Sequence, residues 1–470
     1  MSEVTHPTHG RGKVLRSLRG GRYYLVRFEG QSAPWQVRES ELTWDQSRIE
    51  APARPASPKK KKGARNEPTL KTLEALRLGV VPSEGVEVYT VGRDVELAMV
   101  RSDLEAAEGS GAARVILGDY GTGKTHLLEV IESMALERNF VVSRLVLDNE
   151  EVSPSHPKRV YRSLVQGLTY PDLLGRRGLT PLFEQVQAKV PDTFFDPVHP
   201  SYHRYLSPFL AYYRELEGES DQRAVLEEAM DFIEGHPSLS NVELERELRR
   251  ATRLRGHRLF ALMDYRPWAH LYTYLVGGIS YLIQQAGYRG LAILFDEAEF
   301  YALLSSAGRE FADLLFGYYS AAALGPDQVR FDLESAPRGG HAVHRSFPPL
   351  YREAQHLYCV FAMTDDPKGL AALERILEPD RFACLSPLRL QDYQELCRRV
   401  IALYQVAYPD LEVGELVQNP MGEVVYQGVQ TGAFENPRQV LKFVMELLDF
   451  SRLRRDQIPA YVKEVLSYLR

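Results

Sequence analysis

Gly118-Asp119-Tyr120-Gly121-Thr122-Gly123-Lys124-Thr125 satisfies the pattern G-x-x-x-x-G-K-[ST] in full. A short β-like apolar run, Ala113 to Leu117, precedes it, and His126 to Leu136 follows with apolar residues at helical spacing. Strand, glycine loop and helix, in that order, are the context that turns the pattern into a phosphate site. The glycines let successive backbone N–H groups turn inward on phosphates, and the helix N-terminus adds its dipole. In such a loop the lysine, Lys124, reaches the β- and γ-phosphates, and the Thr125 hydroxyl ligates Mg²⁺. The stretch implies binding of a nucleoside triphosphate.

The 470 residues leave room for two or three domains with sizeable cores. Apolar content of 44% and charged content of 26% are those of an ordinary globular chain. The net charge of −6 is unevenly spread: residues 1–68 carry 14 Lys/Arg against 7 Asp/Glu, which leaves the remainder at −13. A basic arm on an acidic body fits nucleic acid at one end, and a solvated linker gives the same count. Cys359, Cys384 and Cys397 form no C-x-x-C pair and read as small buried hydrophobes. Met1 to His6 holds no apolar signal core, and no run of about 18 apolar residues occurs, so a cytoplasmic protein away from membranes is expected.

Residues 1–50 read as a small β module: short strands at Lys13–Arg16, Tyr23–Phe28 and Pro34–Val37, separated by glycine turns such as Gly20-Gly21. The opening His6-Pro7 and Gly10-Arg11-Gly12 resembles SH3-like, Tudor-type modules, which implies tethering to protein or nucleic acid; a stabilising appendage is the alternative. Residues 51–68 are a Pro/Lys linker with four consecutive lysines, Lys59 to Lys62, suited to phosphate backbone or simply to solubility. Residues 69–387 then form an α/β body, with residues 153 to about 288 as a helical insertion, and residues 388–470 are helical in pattern.

Gly290 to Phe295 is a buried-strand pattern ending in Asp296-Glu297-Ala298-Glu299. It delivers two acids to the carboxyl edge of a parallel sheet, where such sheets place ligands. Asp296 suits Mg²⁺, and Glu297 suits a general base that polarises the attacking water. His356 to Met363 is a further buried strand, ending at Thr364-Asp365.

These parts resemble an AAA+ ATPase: a P-loop parallel sheet with a helical insertion and a C-terminal helical lid. The resemblance implies that Val91, Gly92 and Arg93 lie against the adenine, and that Gly118 to Thr125, with His126, hold the phosphates. It implies further that Thr364 senses the γ-phosphate, that Arg381 (or Arg375) is an arginine finger reaching the next subunit, and that Arg438 closes the lid. A homo-oligomer follows from the finger. From about Gly79 onward the chain also resembles the BREX-system ATP-binding proteins of bacterial phage defence. Gly92-Arg93, Leu117 to His126, Ala135 to Asp148, Phe295 to Glu299 and Asn436-Pro437-Arg438 carry that likeness. It implies an ATP- and Mg²⁺-dependent ATPase acting on or beside DNA with a helicase-like partner. DNA contact falls to the basic arm or to the loop at 324–349, where Arg330, Arg338, His341, His344 and Arg345 lie; partner docking and a bare surface loop are the alternatives. The competing class is a STAND-type signalling switch, whose sensor repeats after the lid are not seen in this sequence.

Overall fold

A computed structural model describes residues 3–7, 10–18, 23–28, 35–38 and 43–44, and, apart from 83–84, 219–221, 237–239, 253, 255–256, 353–354 and 412, residues 67–469. The chain divides into two compact units, Met1–Ala64 and Arg65–Arg470. The first holds strands β1 (Glu3–His6), β2 (Gly10–Leu18), β3 (Tyr23–Phe28), β4 (Trp35–Arg38) and β5 (Thr43–Trp44), in the order β4-β3-β2-β1-β5. Every pairing is antiparallel, and a bulge interrupts β2 between Val14 and Arg16. Alternation puts Val4, Val26, Phe28 and Val37 into one small core. The Gly20-Gly21 turn, Pro34 and linker residues 51–66 with their lysine run lie outside the described residues, while Glu67 and Pro68 already belong to the helix Glu67–Leu78.

The second unit is built on five parallel strands: β6 (Ala112–Leu117), β7 (Val141–Val146), β8 (Leu291–Asp296), β9 (Leu357–Met363) and β10 (Phe382–Cys384). Their order is β10-β6-β9-β8-β7. The near-continuous apolar runs are explained by burial on both faces. Leu291, Ile293 and Phe295 of β8 point into one core, shared with the insertion, and Ala292 and Leu294 point into the other, shared with the helices Asp94–Gly109 and Lys124–Glu137. The order sets β9 between the loop strand β6 and the acid strand β8. The end of β9 therefore falls between the glycine loop and Asp296-Glu297.

Between β7 and β8 the chain makes the helices Pro157–Gln166, Thr180–Val186, Leu206–Leu216, Arg223–Ile233, Asn241–Ala251 and Ala269–Ala286. The last is buried along almost its whole length, which explains its lack of a polar face.

Three expectations change. The helix Glu67–Leu78, grouped in sequence with the sheet domain, packs instead with the C-terminal helices: Leu73 and Leu76 join Val440, Val444, Leu447 and Leu448 in one core. Arg77 fixes that packing by forking onto Asp449, at 2.6 and 2.8 Å. Cys384 is exposed, because β10 is a three-residue edge strand; Cys359 and Cys397 are buried. The segment 324–349 is no bare loop. Leu333, Ala336 and Phe347 enter the core, Arg330 pairs with Glu378, Arg338 with Glu334, and the buried His344 ring stacks on Trp268 at 4.3 Å. His341 and Arg345 stay outward.

Candidate nucleotide site

The glycine loop leaves β6 and enters the helix Lys124–Glu137 with Gly121 at φ +83° and Gly123 at φ +101°, a region that side chains with a Cβ rarely adopt. Gly121 has a second constraint: an added Cβ would lie 2.7 Å from Cβ of Asn436, at the start of the helix Pro437–Leu453. Loop and lid thus touch where only glycine fits. Asn436 caps that helix by accepting from the Gln439 N–H, and Pro437 occupies its first turn.

Tyr120 to His126 line a cavity of about 240 Å³. Its apolar lining includes Val80, Tyr89, Val91, Leu388, Leu396 and Leu441, and its polar lining includes Lys124, Arg438, Glu297 and Glu299. Lys124 is buried and donates to the Gly118 and Asp119 carbonyls at 2.8 and 3.1 Å. Val91 and Arg93 line the cavity, but Gly92 is not among its lining residues: it takes φ +62° and packs on Asp392. Arg93 is buried and donates to the Thr122 carbonyl (2.6 Å) and the Ser386 carbonyl (2.8 Å), with Glu96 at 3.1 Å. It ties the loop to the base of the lid.

Asp296 is buried, 3% exposed, and is not among the residues that line the cavity. One oxygen accepts from the Glu297 N–H and the other from Arg144 at 3.1 Å; Arg144 also binds Glu129. Arg144, largely buried between Glu129 and Asp296, is a site residue that sequence reading missed. An arginine in a strand has no pattern of its own. Glu297 takes φ +59°, uncommon for a residue with a side chain. Burial first, then the charges of Glu299 and Asp296, raise its carboxyl to about 7, with Lys124 acting the other way. Thr364 donates to Glu299, whose second oxygen is buried without a partner. Thr364 thus bonds Glu299, whose charge acts on Glu297.

Arg438 is exposed, with Nη1 3.3 Å from the Tyr120 hydroxyl and its guanidinium 6.0 Å from the Tyr120 ring centroid. Arg381 and Arg375 lie away from this cavity, Arg381 beside Gln328 and Asp380, and Arg375 paired with Asp313 at 3.1 Å.

The residues fit a triphosphate: a glycine loop with no room for a Cβ at Gly121, a buried ammonium and a second cation on the lid. Among the described residues no group of three or more His, Cys, Asp or Glu forms a metal cage. Of the two residues expected to hold Mg²⁺, Thr125 belongs to the cavity lining, whereas both oxygens of Asp296 already accept from Glu297 N–H and Arg144.

A parallel sheet with β9 between the loop strand and the acid strand, and a glycine loop roofed by helices, define a P-loop ATPase fold. Residues 65–192 match the family model described as BREX system ATP-binding protein BrxC/D, so the likeness to those ATP-binding proteins holds over that stretch. No curated protein matches the chain. Among the described residues no helix is long and apolar enough to cross a membrane.

Proposed function

We propose that the protein is a Mg²⁺- and ATP-dependent AAA+ ATPase of phage defence, acting on or beside DNA with a helicase-like partner as motor or loader. The observation that carries this is one cavity bounded by the glycine loop, the lid arginine Arg438 and the acid Glu297. The loop and Lys124 bind the phosphates. Mg²⁺, when bound, neutralises the β- and γ-phosphate charge, held by Thr125 and, directly or through water, by Asp296. Glu297 takes the proton of the attacking water, and Thr364, acting through Glu299, orients it. Arg438 closes the lid on the γ-phosphate, and Arg381 serves the neighbouring subunit's site, with Arg375 as the alternative. His341 and Arg345, with the basic arm, are the surfaces offered to DNA, and the N-terminal sheet is a tether.

Sizing the Glu297→Gln protein with ATP, with and without duplex DNA, tests this reading. An ATP-dependent oligomer that takes up DNA supports it; a monomer indifferent to DNA overturns the motor role. Arg381→Ala, if it lowers turnover with ATP affinity unchanged, supports hydrolysis between subunits.

A further inference from the structure

His126 lines the cavity, and Thr90, just outside the lining, pairs with it. The Thr90 hydroxyl lies 2.7 Å from the Val86 carbonyl oxygen and 2.9 Å from Nε2 of His126. A hydroxyl has one proton, and a carbonyl oxygen only accepts. The Thr90 proton therefore goes to Val86, and the Thr90 oxygen accepts from His126 Nε2–H. A neutral imidazole has no second N–H, so Nδ1 is left as a bare acceptor. Among the described residues the ring's one hydrogen bond is that of Nε2 to Thr90. The ring stays neutral because it is buried with Arg93 nearby, which lowers its pKa to about 4. Tyr89 packs on the ring at 5.2 Å and, with Val91, belongs to the same wall of the cavity.

We propose that His126, with its tautomer fixed by Thr90, selects a 6-amino purine over a 6-oxo purine at this site; this rests on the reading of the cavity as an ATP site. A 6-amino group brings an N–H donor to Nδ1. A 6-oxo group brings a second acceptor, and the apolar walls leave little water to relieve the mismatch. Thr90 is the positioning residue, since without its oxygen the ring is free to carry its proton on Nδ1.

The test is equilibrium binding to the full chain, by competition against a fluorescent nucleotide. ATP, inosine triphosphate, purine riboside triphosphate and 2′-deoxy-ATP are compared on the wild type, His126→Leu and the isosteric Thr90→Val. The wild type should prefer ATP to the inosine and purine riboside nucleotides by about tenfold, the worth of one satisfied hydrogen bond. His126→Leu should abolish that preference by weakening ATP alone, and Thr90→Val should improve the inosine nucleotide relative to ATP. Equal weakening of all nucleotides in His126→Leu overturns the inference. So does a preference that follows the 2′-hydroxyl instead of position 6. If no triphosphate binds the wild type, it is the ATP reading that falls.

Discussion

Glu297 should impose its own titration on turnover. The fold raises its carboxyl to about 7, by burial and by the charges of Glu299 and Asp296. Only the carboxylate accepts a proton from water. With a midpoint near 7 the charged fraction is roughly 0.1 at pH 6 and 0.9 at pH 8, so kcat/KM should rise about tenfold between them. An ordinary glutamate, half-titrated near 4.3, would give a flat line over that range. Phosphate release measured from pH 5.5 to 8.5, at constant ionic strength and saturating Mg²⁺, reads the free-enzyme ionisation through kcat/KM. Glu299→Gln removes the largest charged neighbour and should move the rising limb to lower pH. A flat wild-type profile, or a limb unmoved in Glu299→Gln, would show that Glu297 is not the titrating base. The same linkage bears on stability. A carboxyl raised in the folded state favours the fold fully below its unfolded value near 4.5, and that contribution is lost as pH rises through about 7.

Arg144→Met removes the cation between Asp296 and Glu129, and breaking such a pair should cost about 3 kcal/mol in a denaturant titration. Adding Glu129→Gln should recover part of it; a loss too small to measure would contradict the clamp. Gly121→Ala, at φ +83° and blocked by Asn436, should weaken ATP at least about tenfold by titration. Gly175→Ala, at φ +76° with open space around it, should leave ATP affinity unchanged. Tyr120→Ala and Arg438→Ala should be non-additive in ATP affinity, coupled by about 0.5–1 kcal/mol as for an exposed cation–π pair. Strict additivity would separate the two residues.

What was legible in the sequence is what local chemistry writes into short strings. The glycine loop, the apolar run into Asp296-Glu297 and the cap at Asn436-Pro437 each form through neighbours in the chain. Pairings distant in sequence carry no such signature. Arg144 meets Asp296 across 152 positions and Arg77 meets Asp449 across 372, so neither partner predicts the other. For the same reason the N-terminal helix looked like part of the sheet domain, although its apolar face fits the lid. Tyr120, in the variable middle of the loop, meets the lid arginine Arg438 across 318 positions, a pairing of the same kind. The loop at 324–349 looked free because its prolines, glycines and charges dominate, while three apolar residues, Leu333, Ala336 and Phe347, anchor it.

On the proposed function, Glu297 drives hydrolysis of a nucleotide held by the glycine loop. Binding and single-turnover hydrolysis of labelled ATP by Glu297→Gln, beside Lys124→Ala, test it most directly. Glu297→Gln should bind ATP about as tightly as the wild type and cleave it at least about a hundredfold more slowly, the usual worth of a general base. Lys124→Ala should fail to hold ATP. Cleavage by Glu297→Gln at the wild-type rate would contradict the claim.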